Sequence, residues 1–150
     1  ICTCLVGSEM CIRDSQEKEL GNRIIEEYVG DKDFGCLLMS ERFGTQRGEH
    51  DQKSFDKDKS VMLDIIQKNE LPYLYWTREP LKNTPFNFID KALNLRNIDF
   101  RIQLYLKSKA KINISNQCGI SHLVCRYSDC FESQRQYPIE HNFLDNIKYL

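Results

Sequence analysis

The stretch that begins at Lys82 constrains the fold most. It reads Lys82-Asn83-Thr84-Pro85-Phe86-Asn87-Phe88-Ile89 and continues with Leu104-Tyr105-Leu106-Lys107-Ser108-Lys109-Ala110-Lys111-Ile112-Asn113. Gly119-Ile120-Ser121-His122-Leu123 then follows. A Thr-Pro start at 84 and a Ser-His start at 121 stand 37 residues apart. Recurrence at a fixed period of this size marks arrays in which one supersecondary unit stacks on the next.

These segments resemble the ankyrin repeat, with its Thr-Pro-Leu-His start, two antiparallel helices, a leucine run, a Gly-Ala-Asp-Val-Asn hairpin and a glycine opening the next repeat. The resemblance implies a mostly α fold, an α-solenoid fragment of helix-turn-helix repeats with short hairpin fingers. Thr84 would cap the first helix and Pro85 would take its first position, where a missing N–H costs nothing. Phe86 would anchor the core, and Ile102, Leu104 and Leu106 would form the buried face of the second helix. Asn113 would hydrogen-bond backbone in the hairpin, and Gly119 would supply positive φ before the next unit.

The departures from the family are plain. Asn87 replaces histidine, Lys109 replaces the glycine before Ala110, and Ile89 replaces a small residue. The period exceeds the family's by four, which places a longer inter-helix link near Asn94–Asp99. The implied organisation is a repeat over 84–120, a partial repeat over 121–150 and a degenerate one over 60–83. Each unit would stack on its neighbours to build a concave surface. The implied partner is another protein, held by Lys82, Asn83, Asn87, Asp90, Asn116 and Gln117. On this reading the chain is a binding scaffold and not an enzyme. The alternative is a regulatory ankyrin segment of a larger enzyme or ion channel.

Leu5–Ser15 resembles the translation of a transposon-based sequencing adapter, so residues 1–15 are set aside from fold reasoning. They hold one basic and two acidic residues (Arg13, Glu9, Asp14), which leaves the remainder neutral. The start at Ile1 and the stop at Leu150, within an apolar pattern, both look cut. In 16–59 the reading is a helix plus a polar loop. Leu20, Ile24, Ile25 and Tyr28 have helical spacing, and Gly30 is a suitable stop. Cys36–Met39 is a short apolar run that periodicity assigns to neither strand nor helix. Gly44–Lys59 reads as an exposed loop, and Ser60 as the cap of a helix carrying Val61, Met62, Leu63, Ile65 and Ile66. Tyr73–Trp76 is an aromatic cluster that reads first as core cover and second as a binding patch.

A net charge of −1 and 29% charged residues give no support to a nucleic-acid or polybasic membrane role. No run of about 18 apolar residues exists to span a bilayer. Of the seven cysteines, Cys2, Cys4 and Cys11 lie in the set-aside segment and Cys36, Cys118, Cys125 and Cys130 are unevenly spaced, which favours a reduced, intracellular and cytoplasmic chain over a disulfide framework. Cys118, Cys125 and Cys130, with His122 and His141, include ligand types that suit zinc. They lack the closely spaced Cys pair that makes such a pattern specific, so no metal is expected. No Walker loop or dinucleotide fingerprint is present, and the expectation is of no cofactor and no catalytic residue.

Overall fold

A computed structural model of the chain describes residues 15–38, 46–76, 80–83, 87–89, 92–116, 123–133 and 147–150. Helix α1 (Ser15–Tyr28) leads into strand β1 (Gly35–Leu38), helix α2 (Gln46–Asn69) and β2 (Tyr73–Tyr75). A one-turn 3-10 helix (Leu81–Asn83) follows, then β3 (Leu93–Asn94), α3 (Phe100–Lys109), β4 (Ile112–Asn116), β5 (Asp129–Ser133) and β6 (Ile147–Tyr149). The strands form one six-stranded sheet in the order β3-β2-β1-β4-β5-β6. Every adjacent pair is parallel.

The side-chain alternation of the strands builds two helical layers. On one face, Leu37, Tyr73, Tyr75, Ile112 and Ile114 pack with Met62, and Ile65 and Ile66 of α2 lie against them. On the other face, Cys36 and Leu74 pack with Leu106 and Ala110, joined by Ile24 and Ile25 of α1 and Ile102 of α3. Adjacent residues Cys36 and Leu37 thus serve opposite layers, as the period of two requires. A third cluster, Leu104, Val124, Cys125, Cys130 and Ile147, seals the β5–β6 side. Fully burying each such Leu, Ile or Phe contributes about 1.5–3 kcal/mol.

Local chemistry sets the element ends. Gly30, at φ 70, donates back to Ile25 O at 2.8 Å and closes α1. Pro72 stands just ahead of β2, and its carbonyl accepts from Gly35 N at 2.9 Å, opening the β1–β2 ladder. The Asp99 side chain caps α3 by accepting from Arg101 N at 2.8 Å. Arg101 also pairs with Glu17 at 3.0 Å, and Tyr105 Oη donates to Asn22 Oδ1 at 2.7 Å, fastening α3 to α1.

The fold overturns the ankyrin resemblance and the α-solenoid expected from it. Ile102, Leu104 and Leu106 do lie on a helix, but that helix feeds a buried central strand where a hairpin finger was expected. Asn113 is fully buried on β4, and its Nδ2 donates to Lys107 O at 3.0 Å and to Ser128 Oγ at 2.7 Å. Lys109 ends α3 without positive φ. The link at Asn94–Asp99 contains part of β3 and a turn with Asn97 at φ 62. Thr84, Pro85, Phe86 and Gly119, which carried the motif, lie outside the described residues. Ser60 caps nothing, because α2 begins at Gln46 and runs through it. Half of the polar 46–59 stretch is Lys, Gln, Arg or Glu, which are good helix formers, and the apolar 61–66 continues the same helix. Residues 1–14, which include all of the adapter-like Leu5–Ser15 but its last residue, also lie outside the described residues, and Ser15 begins α1.

Candidate site at the carboxyl edge of the sheet

The connections leave β1 and β4 in opposite directions. From β1 the chain crosses by α2 to β2 on one side, whereas from β3 it returns by α3 to β4 on the other side of β1. This reversal is a topological switch point. Helices on opposite faces part there, leaving a crevice outside the carboxyl ends of the two strands. The ends are level, since Leu38 lies in register with Ser115, and Asn116 extends one residue further. Residues 39–45, after β1, and 117–122, after β4, lie outside the described residues.

Several groups define the described part of the edge. Ser115 is fully buried at the end of β4. Tyr75, at the end of β2, accepts from Leu81 N through its hydroxyl at 3.3 Å and so holds the 3-10 turn against the sheet. Trp76 follows, with the Lys107 ammonium 4.9 Å from its ring centre. Lys107 is only 2% exposed, an unusual place for a lysine, and the aromatic face supplies part of what it loses in hydration. Lys59 lies 5.4 Å from the Phe88 ring centre, which ties the segment after the turn to α2.

The thiols are poor nucleophiles. Burial pushes the Cys36 thiol up to about 12, and the nearby Lys107 charge offsets only part of this. Burial also raises Cys125, against smaller lowering effects from a backbone hydrogen bond and Arg126. Neither is a thiolate near neutrality, so neither has the reactive form. No cluster of three or more His, Cys, Asp or Glu suited to a metal exists among the described residues. Cys118, His122 and His141 lie outside them.

The residues singled out from sequence are scattered. Lys82 and Asn83 are exposed on the 3-10 turn, and Asn87 is exposed in the next turn. Asn116 ends β4 beside the switch point, while Asp90 and Gln117 lie outside the described residues. Sequence reasoning missed Ser115, Tyr75 and Trp76 as edge residues. The available signal was limited to two short apolar runs (36–38 and 73–75) alternating with helical stretches, part of a βαβ pattern.

No family model matches the sequence, and no curated protein is significantly similar to it. Solved structures are similar in fold. Against the UDP-GlcNAc 2-epimerase of Methanocaldococcus jannaschii the TM-score is 0.60 at 14% identity, over 95% of this chain and 40% of that one. The same enzyme in complex with UDP-GlcNAc and UDP gives 0.59 at 12%, over 95% and 39%. The Neisseria meningitidis UDP-GlcNAc 2-epimerase bound to UDP-GlcNAc gives 0.52 at 13%, over 85% and 34%. The chain therefore spans about two fifths of the length of the M. jannaschii enzyme. These neighbours are enzymes with a parallel α/β sheet. The parallel sheet shared with these neighbours overturns the ankyrin resemblance, and with it the expectations of a protein-binding scaffold, of a regulatory ankyrin segment and of a chain that is not an enzyme. Among the described residues no helix is long and apolar enough to cross a membrane. The likeness is one of fold: a doubly wound parallel sheet with its crevice between β1 and β4.

Proposed function

We propose that this chain binds a uridine nucleotide or nucleotide sugar in the crevice between β1 and β4, as part of an enzyme that acts on a sugar nucleotide. One observation carries the reading. The strand order puts a ligand crevice at the carboxyl edge, in a fold shared with two UDP-GlcNAc 2-epimerases that bind UDP-GlcNAc. The chemistry of that edge supports it. The helix that follows β1, α2, starts at Gln46, and a helix N-terminus offers backbone N–H groups to an anion. Three buried cysteines outside any disulfide (Cys36, Cys125, Cys130) support a reducing, cytoplasmic setting.

The test is a titration with UDP, UDP-GlcNAc and ADP, followed by amide NMR and thermal melting. Binding of the uridine ligands should move the amides of Ile114–Asn116 and Cys36–Leu38. It should also stabilise the fold by about 2.7 kcal/mol at a hundredfold excess over Kd. Absence of any shift at these amides with millimolar uridine ligands would overturn the reading.

A further inference from the structure

The opposite edge of the sheet holds a second concavity. The amino ends of the adjacent strands β1, β4 and β5 bring three segments together: Asp33, Lys109–Lys111 and Arg126–Asp129. They line an open groove of about 450 Å³. That volume is in the range of small-molecule sites, but the lining is charged and polar where most such sites are apolar.

The charges do not cancel. Asp33 is held by Lys111 at 3.3 Å, and Asp129 by Lys148 at 3.7 Å. Both carboxylates are thereby matched. Arg126 and Lys109 remain. Among the described residues Arg126 forms no hydrogen bond or ion pair, and Lys109 only overlies the Tyr105 ring at 5.6 Å. A third donor is present. Ser128 is 6% exposed, and its hydroxyl oxygen accepts from Asn113 Nδ2 at 2.7 Å. The orientation of that amide is set by Lys107 O, which can only accept. The Ser128 hydroxyl proton therefore has no protein acceptor among the described residues, in a buried side chain that lines the groove. Two cations outside any ion pair and one buried hydroxyl proton without an acceptor among the described residues call for a ligand that accepts hydrogen bonds and carries negative charge.

We propose that this groove binds a small phosphate-class oxyanion, either free phosphate or a phosphomonoester, through Arg126, Lys109 and the Ser128 hydroxyl. The site is separate from the nucleotide crevice, and the inference does not rest on that reading.

The test titrates the full chain with inorganic phosphate and with methyl phosphate at constant ionic strength, against sodium chloride as control. Amides of 109–111 and 126–129 should shift with both phosphates, while those of 114–116 and 36–38 report separately on the crevice. Tighter binding of methyl phosphate would assign the ester, and equal or weaker binding the free anion. Arg126→Gln and Lys109→Gln should each weaken binding about tenfold, as loss of one charge-assisted contact does. Both residues are exposed, so these variants should keep their melting temperature. Ser128→Ala should weaken binding severalfold. Equal binding by Arg126→Gln, Lys109→Gln and the unaltered chain, or equal shifts with chloride, would overturn the proposal.

Discussion

Gly21→Ala sets helix propensity against tertiary packing, and the structure decides the sign. Gly21 is buried in the middle of α1, where alanine is favoured by about 1 kcal/mol on propensity alone. An added Cβ, however, would run into Cδ1 and Cε1 of the Tyr105 ring. That ring cannot easily yield. Tyr105 is 6% exposed, its hydroxyl is bonded to Asn22 on the same helix, and Lys109 lies over its face. Overpacking of a fixed side chain costs about 1–3 kcal/mol, and contact with ring carbons this close belongs in the upper part of that range. The net expectation is a loss of about 1–2 kcal/mol, a fall in Tm of about 2–8 °C for a chain of this size. The assay is a double-mutant cycle with Tyr105→Ala, read by urea denaturation. In the Tyr105→Ala background the ring is gone, and Gly21→Ala should stabilise by about 1 kcal/mol, giving a coupling of about 2–3 kcal/mol. If Gly21→Ala stabilised the unaltered chain as much as it stabilises the Tyr105→Ala chain, the packing of α1 on α3 described above would be refuted.

Other perturbations test other layers. Leu106→Ala, at a fully buried position between α3 and the sheet, should cost about 2–5 kcal/mol, whereas Lys82→Ala on the exposed turn should stay within about 0.5; equal effects in denaturant melts would contradict the register. Asn113→Ala removes the buried donor to Lys107 O and Ser128 Oγ and should cost about 1–3 kcal/mol; a loss below about 0.5 would show that this brace does not exist. Burial raises Cys36 from 9.0 and Tyr73 from 10.0, each to about 12. The fold favours the neutral forms, so this stability is complete below those ordinary values and is lost as pH climbs toward about 12. Denaturation midpoints should therefore fall above about pH 9, and Cys36→Val should flatten the early part of that fall. For the same reason iodoacetamide should label Cys36 at neutral pH only after unfolding; labelling in the native chain would contradict its burial.

Sequence periodicity placed a helix over 16–29 with a glycine stop and an apolar helical stretch at 61–66, while the ankyrin resemblance, not periodicity, put Ile102, Leu104 and Leu106 on a helix. Helix faces can be read this way because the relevant neighbours lie three or four residues apart. The strands were not legible for the opposite reason. β4 pairs Ile112 with Gly35 on one side and with Asp129 on the other, contacts that no local pattern encodes. Its buried Asn113 and Ser115 also interrupt the apolar run expected of a parallel strand covered on both faces. Asn113 reads as a turn residue until Lys107 O and Ser128 Oγ are seen to satisfy its amide protons. The Lys109-Ala110 signal at the end of α3 fits the end of a helix in any architecture, so it did not distinguish a stacked repeat from a crossover. The sequence by itself determined that 16–29 and 61–66 are helical, but not that α2 starts at Gln46 or that Leu20, Tyr28 and Val61 stay exposed. Only the tertiary structure decided that these helices cover a parallel sheet, because strand order and the crevice at its reversal arise from pairings between distant segments.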